Sequence, residues 1–516
     1  SQSRFCFSGY IGSKLYICAK IINMQEMKVN QVEKIKGFLF TNTSLKQTIL
    51  KNTFWLTSGT VVSRLVRAVL IISSARILGA EGYGIISYGL SLAAFFGIFT
   101  DIGLSSLLTR ESTKDPENIP ALLSTTFFLK IAILALAVIV MVFAAPFLTK
   151  NAEAAALIPV MAVVLVFDSL RTFGFSITRA KNKMEWEAGL TIATDLFITA
   201  FGLAILFLSP EPMKLAWAYA LSTALGFLLV LFVLRKDLKG IFTKFEKKLV
   251  KPILSKAWPF AIMGLLSGFM INIDTIIIGA FRNATELGLY AAAQRPIQLL
   301  YLFPGLIAAS IFPILTKLIH EGKGEAVKRV LEKVLPAVFA AALPIALGGI
   351  ILARPLISLI FGAEYDGSVF TFQLLLSTLL FVFPGTIIGN TIFAFDRQKI
   401  FIFSTGTGAI TNVVLDLVLI PAYGIWGSAI ATIVSQVLVT AINWNYLKKI
   451  TGFSISKHMA KITLATILMG AATFALLYLG MNVILNVVVS AVIFGSALYL
   501  FREPLLKLFD VRELAG

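Results

Sequence analysis

The sequence predicts an all-α polytopic membrane protein of about 14 transmembrane helices, built as two six-helix lobes plus two extra C-terminal helices. Three observations predict it. Of the 516 residues, 58% are hydrophobic and 14% charged, against roughly 45–50% apolar and about 25% charged in soluble domains. Apolar runs long enough to span a bilayer, about 20 residues each, recur at 52–75, 84–109, 121–148, 154–178, 188–208, 214–234, 257–281, 287–316, 334–361, 369–394, 402–420, 425–447, 459–479 and 483–501. The chain also echoes itself: Leu78-Gly79-Ala80-Glu81-Gly82-Tyr83-Gly84 is answered, about two hundred residues later, by Ile278-Gly279-Ala280 and Glu286-Leu287-Gly288-Leu289-Tyr290.

Each copy closes one apolar run, makes a short glycine-containing turn and opens the next. Repeated bundles of this kind hold their substrate path between the halves, and an even number of helices per half relates the lobes by a pseudo-two-fold axis along the membrane normal. The order is then a cytoplasmic tail (1–50), an N-lobe (51–234), a basic linker (235–256), a C-lobe (257–447) and a final segment with helices 13 and 14 and the C-terminal tail (448–516). Pro304-Gly305 and Pro384-Gly385 are the expected hinges, because proline removes a backbone hydrogen bond inside a helix.

A net charge of +18 would suggest nucleic acid in a soluble protein, so the position of the cations matters. They sit on alternate loops: Arg110 and Lys114; Arg179, Lys181 and Lys183; eight between Arg235 and Lys256; Lys317 to Lys333; Arg397 and Lys399; Lys448 to Lys461. The intervening loops carry little besides Arg76, Lys150, Lys214, Arg282 and Arg354. Under the positive-inside rule both termini and every second loop face the cytoplasm of a cell-membrane protein. The basicity is thus topological, with membrane lipid headgroups as contacts and no nucleic acid. Cys6 and Cys18, the two cysteines, lie in the tail, which leaves no disulfide framework or CxxC metal site in the helical body. The tail lacks a signal-peptide pattern, and residues 1–23 are assigned no function.

Ten ionisable residues remain inside the runs: Arg64, Arg67, Lys130, Arg171, Arg295, Asp101, Asp168, Asp195, Asp274 and Asp416. Each costs several kcal/mol if it faces lipid, so each should face a partner, the bundle interior or water. Arg64 and Arg67, three apart on one helical face, suit a phosphate or pyrophosphate bound by two planar forks; the other reading pairs them with Asp101 or another interior carboxylate. Arg295 and Asp274 lie at similar depth in adjacent runs. Either they pair, or Arg295 contacts substrate while Asp274, with nearby Asn272, takes Na+ or H+ as a coupling ion. Asp168 and Arg171 are expected to satisfy each other. Asp195 and Asp416 lie on the fifth helix of their respective lobes and suggest a repeated carboxylate position. The partner of Lys130 is not readable.

No GxxxxGK[ST] loop is present, and His320 and His458 stand far apart in loops, so ATP hydrolysis, an HExxH metal site and a Ser-His-Asp set are excluded. No cofactor is implied beyond a coupling Na+ or H+. The competing class, a polytopic polysaccharide polymerase or ligase enzyme, needs a sizeable charged outer loop, and those loops are short. An ion-coupled multidrug exporter is the rival within transport; its cavity should be more apolar and acidic than cationic.

Arg76-Ile-Leu-Gly-Ala-Glu-Gly-Tyr-Gly, Asp101-Ile-Gly-Leu-Ser, and above all the segment from Asn412 through Asp416, Pro421, Gly424 and Gly427 to Thr432 resemble the Wzx-type polysaccharide flippases of the multidrug/oligosaccharidyl-lipid/polysaccharide exporter superfamily. The resemblance spans about residues 45–450. It implies a V-shaped two-lobed bundle that flips polyprenyl-linked oligosaccharide to the outer leaflet, without enzymatic chemistry, alongside polysaccharide assembly enzymes. Ser63-Arg64 is similar to a Ser-Arg step in the first helix of the related lipid II flippases, whose second arginine on that helix stands further along than Arg67.

Overall fold

Hydrocarbon offers no hydrogen bonds, so a spanning segment must satisfy its own backbone, and a helix does so within itself. The computed structural model describes residues 37, 39–112 and 119–501, and every regular element among these residues is helical. Cys6, Cys18, Lys114 and the tail 1–36 lie outside the described residues.

The first helical stretch, Leu45–Thr100, counts 56 residues. At 1.5 Å per residue it would measure roughly 84 Å, far beyond a hydrocarbon core of about 30 Å. Gly79 divides it, with φ 68° and ψ 179°, a backbone conformation open to glycine and strained for other residues. The halves are α1 (45–78) and α2 (80–100). There follow α3 (Leu104–Ser112), α4 (Ile119–Ala144), α5 (Ala152–Ala180), α6 (Met184–Leu208) and α7 (Pro212–Leu234) in the N-lobe. The C-lobe contains α8 (Lys247–Phe281), α9 (Ala284–Leu300), α10 (Leu302–His320), α11 (Gly324–Ile351), α12 (Ala353–Ile360), α13 (Val369–Ser377), α14 (Leu379–Ala394), α15 (Gln398–Tyr423) and α16 (Ile425–Thr451), and α17 (Ser456–Tyr478) and α18 (Val483–Leu500) close the chain.

Close approaches give the directions. Gly59 meets Ala188 and Gly202 meets Leu70, so α1 runs parallel to α6; Gly89 meets Met161 and Gly97 meets Leu165, so α2 runs parallel to α5. Because α5 and α6 are joined by a short turn at 181–183, they run oppositely, and α1 and α2 form a hairpin at Gly79. Twelve other segments among the described residues are long and apolar enough to cross a membrane. With the stretch split at Gly79 counted as α1 and the bent pair α2–α3, the spans among the described residues number about fourteen, and the protein is a multi-pass membrane protein.

Several runs that read as continuous are broken. The run 84–109 bends at Asp101–Gly103, where the Asp101 carboxylate accepts from the Ser105 amide at 2.9 Å and Gly103 adopts φ 78°. The run 287–316 breaks at Tyr301 and the run 369–394 at Thr378, three and six residues before the prolines expected as hinges. The two breaks touch: the Tyr301 and Thr378 hydroxyls are hydrogen-bonded. The second half of the basic linker is helical from Lys247 onward, extending α8.

The lobes meet at the end that carries Gly79. Gly84 of α2 and Gly288 of α9 abut so closely that a Cβ on Gly84 would run into the Ala284 carbonyl, and one on Gly288 into the Ala80 carbonyl. Beside them, Tyr365 donates to the Ala75 carbonyl at 2.8 Å and Arg76 Nε to the Ile360 carbonyl at 2.9 Å. At the opposite end Lys256 bridges to Glu111 at 3.1 Å over an apolar cluster of Leu104, Leu107, Ile253 and Ala257. The echoed motif is therefore the contact itself, read once from each lobe. Gly288→Leu is expected to force the lobes apart here; cysteines at Ala80 and Ala284 should cross-link in the parent and lose most of that yield in the variant, and an undiminished yield would show that the contact tolerates a side chain.

Candidate functional site

Between the lobes lies a cavity of about 550 Å³, lined by α1, α8, α9 and neighbouring helices, with Arg64, Arg67, Asp274, Tyr290, Arg295, Gln298 and Thr432 among its walls. Its charges have arrived from opposite lobes. Arg64 Nη1 of α1 donates to the Gln298 backbone carbonyl at 3.3 Å, and Arg295 Nη1 of α9 donates to the Gln298 Oε1 at 3.1 Å. One residue thus gathers both guanidiniums, leaving most of their donors for a ligand.

Arg67 shares the cavity wall but not that arrangement. Its Nε lies 3.4 Å from the Asp195 carboxylate on α6 and its guanidinium stands 5.3 Å from the centre of the Tyr219 ring, while its buried Nη1 has no protein partner. The pair expected to act as two adjacent forks is divided: Arg64 faces the cavity and Arg67 pairs with an interior carboxylate, though with Asp195 and not Asp101. Asp101 instead caps α3, away from the cavity.

Asp274 and Arg295 do not pair with each other. The Asp274 Oδ2 accepts from Tyr290 at 2.7 Å and from Thr432 at 3.1 Å, and its carboxyl lies within hydrogen-bonding reach of Asp416 on α15. Asp274 Oδ1, both Asp416 oxygens and the Ser428 Oγ within reach of Asp416 form no hydrogen bond of good geometry, and Asn412 Oδ1, one turn before Asp416 on α15, is likewise buried without a partner. Two carboxyls in contact repel when both are ionised, and orphaned buried acceptors are rare. A cation that takes oxygen ligands, or a proton between the carboxyls, resolves both difficulties. Sequence reasoning named Asp274 and Asp416 but missed Asn412, Ser428, Thr432 and Tyr290. The signal was present in part, since Asn412 and Asp416, like Ser428 and Thr432, stand four apart and share a helical face.

Asn272, expected to assist Asp274, does not. Two residues apart on a helix they point in different directions; Asn272 donates to the Gly268 carbonyl at 3.2 Å and lines a second, smaller chamber. Among the other interior charges, Arg171 and Asp168 satisfy each other at 2.6 Å, and Lys130 donates to the Thr100 hydroxyl at 3.3 Å.

Two six-helix lobes around a charged cavity, with a helix pair appended, define a transporter-type membrane bundle. The chain belongs to the polysaccharide biosynthesis protein family, whose sequence profile matches residues 49–319, just over half of it. It is 21% identical over 413 residues to a putative O-antigen transporter of Shigella flexneri, a match covering 78% of this chain and 98% of that one. It is also 21% identical over 243 residues to a probable low-salt glycan biosynthesis flippase, Agl15, of Haloferax volcanii, here spanning 46% of this chain and about half, 51%, of the relative. Among solved structures, the lipid II flippase MurJ in an inward closed conformation superposes with a TM-score of 0.72 at 19% identity, over 87% of this chain and 99% of that one. A multidrug resistance MATE family transporter in an inward-facing conformation matches with a TM-score of 0.61. These likenesses establish the fold.

Proposed function

We propose that this protein flips an oligosaccharide linked to a polyprenyl phosphate or pyrophosphate from the cytoplasmic to the outer leaflet, by alternating access around a cationic cavity. The observation that carries this reading is the meeting of Arg64 and Arg295 at Gln298, where two planar forks from opposite lobes face a shared space. A phosphate group accepts bidentate hydrogen bonds from such forks, which a compact ammonium cannot supply. A ligand held by both lobes is also the kind that can bias their relative position, because it binds one arrangement better than the other. Family membership and the flippase-like relatives point the same way. A cavity wall with three arginines is poorly suited to the cationic drugs of a multidrug exporter.

Driving force enters this proposal through the carboxyl pair. Asp274 lines the cavity and is tied to Asp416, Asn412, Ser428 and Thr432, whose oxygens suit Na+, while the two carboxyls suit a proton. Pro304-Gly305 and Pro384-Gly385, with the bonded breaks at Tyr301 and Thr378, are the proposed flexing points. Both termini are proposed to be cytoplasmic, which makes the Gly79 end the outer one, and assembly enzymes that supply or consume the lipid-linked glycan are the proposed partners.

In a reconstituted flipping assay Arg64→Ala is expected to abolish transport of a lipid-linked oligosaccharide and Arg64→Lys to recover only part of it; parental rates for Arg64→Ala at normal expression would rule out the phosphate role. An imposed Na+ or proton gradient should accelerate flipping by the parent protein. Asp416→Asn should remove that acceleration, and coupling through this site is wrong if the gradient response survives. For topology, a cysteine at Glu286 or Glu364 should react with an impermeant thiol reagent added outside intact cells and one at Lys247 should not; the reverse pattern would invert the orientation.

A further inference from the structure

Beside the main cavity lies a second chamber of about 230 Å³ that shares Arg67, Ile71 and Arg295 with it and is otherwise enclosed by α1, α2, α7 and α8. Its lining is unusually rich in hydroxyls for a membrane interior: Ser74, Ser87, Ser91, Tyr83 and Tyr219. Tyr83 is 3% exposed, and its hydroxyl stands within reach of Ser87 and Arg295 without a hydrogen bond of good geometry; the buried Nη1 of Arg67 has no partner. Ser74, Ser87 and Ser91 are buried beside them. Buried polar groups are ordinarily satisfied. An apolar acyl chain would leave the Tyr83 hydroxyl and Arg67 Nη1 without a well-formed hydrogen bond, at about 1–3 kcal/mol each, so the chamber is built for a polar occupant.

Charge narrows the occupant further. Arg67 and Arg295 contribute two positive charges, and the carboxylate bonded to Arg67, Asp195, removes one. No carboxylate stands among the chamber's own lining residues. The remaining single positive charge matches a monoanion. A pyrophosphate is more highly charged and is better served by Arg64 and Arg295 on the main side, whereas a group that offers several hydroxyls and one carboxylate meets both the hydroxyl lining and the charge. The volume, below the roughly 300–1,000 Å³ usual for drug-sized ligands, admits one small polar unit and not an oligosaccharide.

We infer that this chamber is a subsite for a carboxylate-bearing sugar, a uronic acid or its like, in the head group of the transported lipid. The inference rests on the proposed transport reading and deepens it: phosphates stay with Arg64 and Arg295 in the main cavity, and an acidic sugar beside them turns into the chamber. Its carboxylate lies between Arg67 Nη1 and Arg295, and Tyr83 and Ser87 donate to it or to the neighbouring ring hydroxyls. Both chambers share Arg67 and Arg295, so a single head group can occupy the two at once.

The test is equilibrium binding to the purified full chain in detergent, with free glucuronate, glucose and inorganic pyrophosphate as separate probes. Glucuronate is expected to bind at least about tenfold more tightly than glucose, the scale of a charge-assisted hydrogen bond. Tyr83→Phe combined with Ser87→Ala, both small changes in shape, should weaken glucuronate about tenfold and leave pyrophosphate binding as in the parent. No measurable glucuronate binding, equal binding of glucose and glucuronate, or glucuronate binding indifferent to the double substitution would each overturn the subsite. Loss of pyrophosphate binding in Arg64→Ala with glucuronate binding intact supports two separate subsites. Failure of pyrophosphate to bind the parent at all would instead count against the phosphate reading of the main cavity, with the glucuronate comparison still deciding the chamber.

Discussion

Everything in this structure depends on the refusal of hydrocarbon to host an unpaired charge. An ionised side chain facing lipid costs several kcal/mol, so each interior charge must be matched within the bundle or placed where water and ligand can reach it. The structure uses both solutions. Arg171 with Asp168, Arg67 with Asp195, and Lys51 with Glu185 at 3.1 Å are matched by carboxylates inside one lobe. Arg64 and Arg295 have no carboxylate bridge among the described residues and rest on the neutral amide and backbone of Gln298, with the Tyr83 hydroxyl within reach of Arg295. Charges so lightly compensated are stable only beside a polar space, and the cavity between the lobes is that space.

Small residues set the geometry around it. The Gly84–Gly288 contact brings two helix backbones together without intervening side chains, the mode by which helices associate in lipid. Since the same short motif supplies both partners, the contact lies at the interface of the two lobes and closes one end of the cavity. Farther along, the Tyr301 and Thr378 breaks interrupt two helices of the C-lobe that pack side by side, and their mutual hydrogen bond joins the two interruptions. The appended helices take no part in this closure. α17 packs on α11 where Gly470 receives Leu347, and α18 is held to α17 by a buried set in which Asn486 donates to the Thr473 carbonyl and Ser490 to Asn486.

The polar centres are contiguous. Asp274 and Thr432 belong to the wall of the main cavity and also to the carboxyl cluster, while Arg67 and Arg295 belong to the walls of both chambers. Groups that share side chains in a low-dielectric interior are coupled directly, since a charge placed on one changes the cost of a charge on the next. Coupling between neighbouring sites of this kind needs no long-range pathway; it needs only that the shared residues be held differently in two arrangements of the lobes.

Hydropathy determined the multi-pass all-helical fold and about how many helices it has, because burial in lipid writes itself into composition at every position. The echo likewise marked the places where the chain turns, at Gly79 and at Arg282-Asn283. Sequence also picked out the interior charges, since in such a setting each one must have a purpose. What it could not determine was pairing. Arg64 and Arg67 look equivalent along one helix, yet a third helix brings Asp195 to only one of them; Asn272 and Asp274 are near neighbours in sequence, yet the helix turns them into different chambers. The cluster of Asp274, Asn412, Asp416, Ser428 and Thr432 joins three helices, and the hydroxyl-lined chamber needs five. Partners drawn from separate helices have no fixed spacing in sequence, so only the packing of the lobes decided which charges were neutralised and which were left for a ligand.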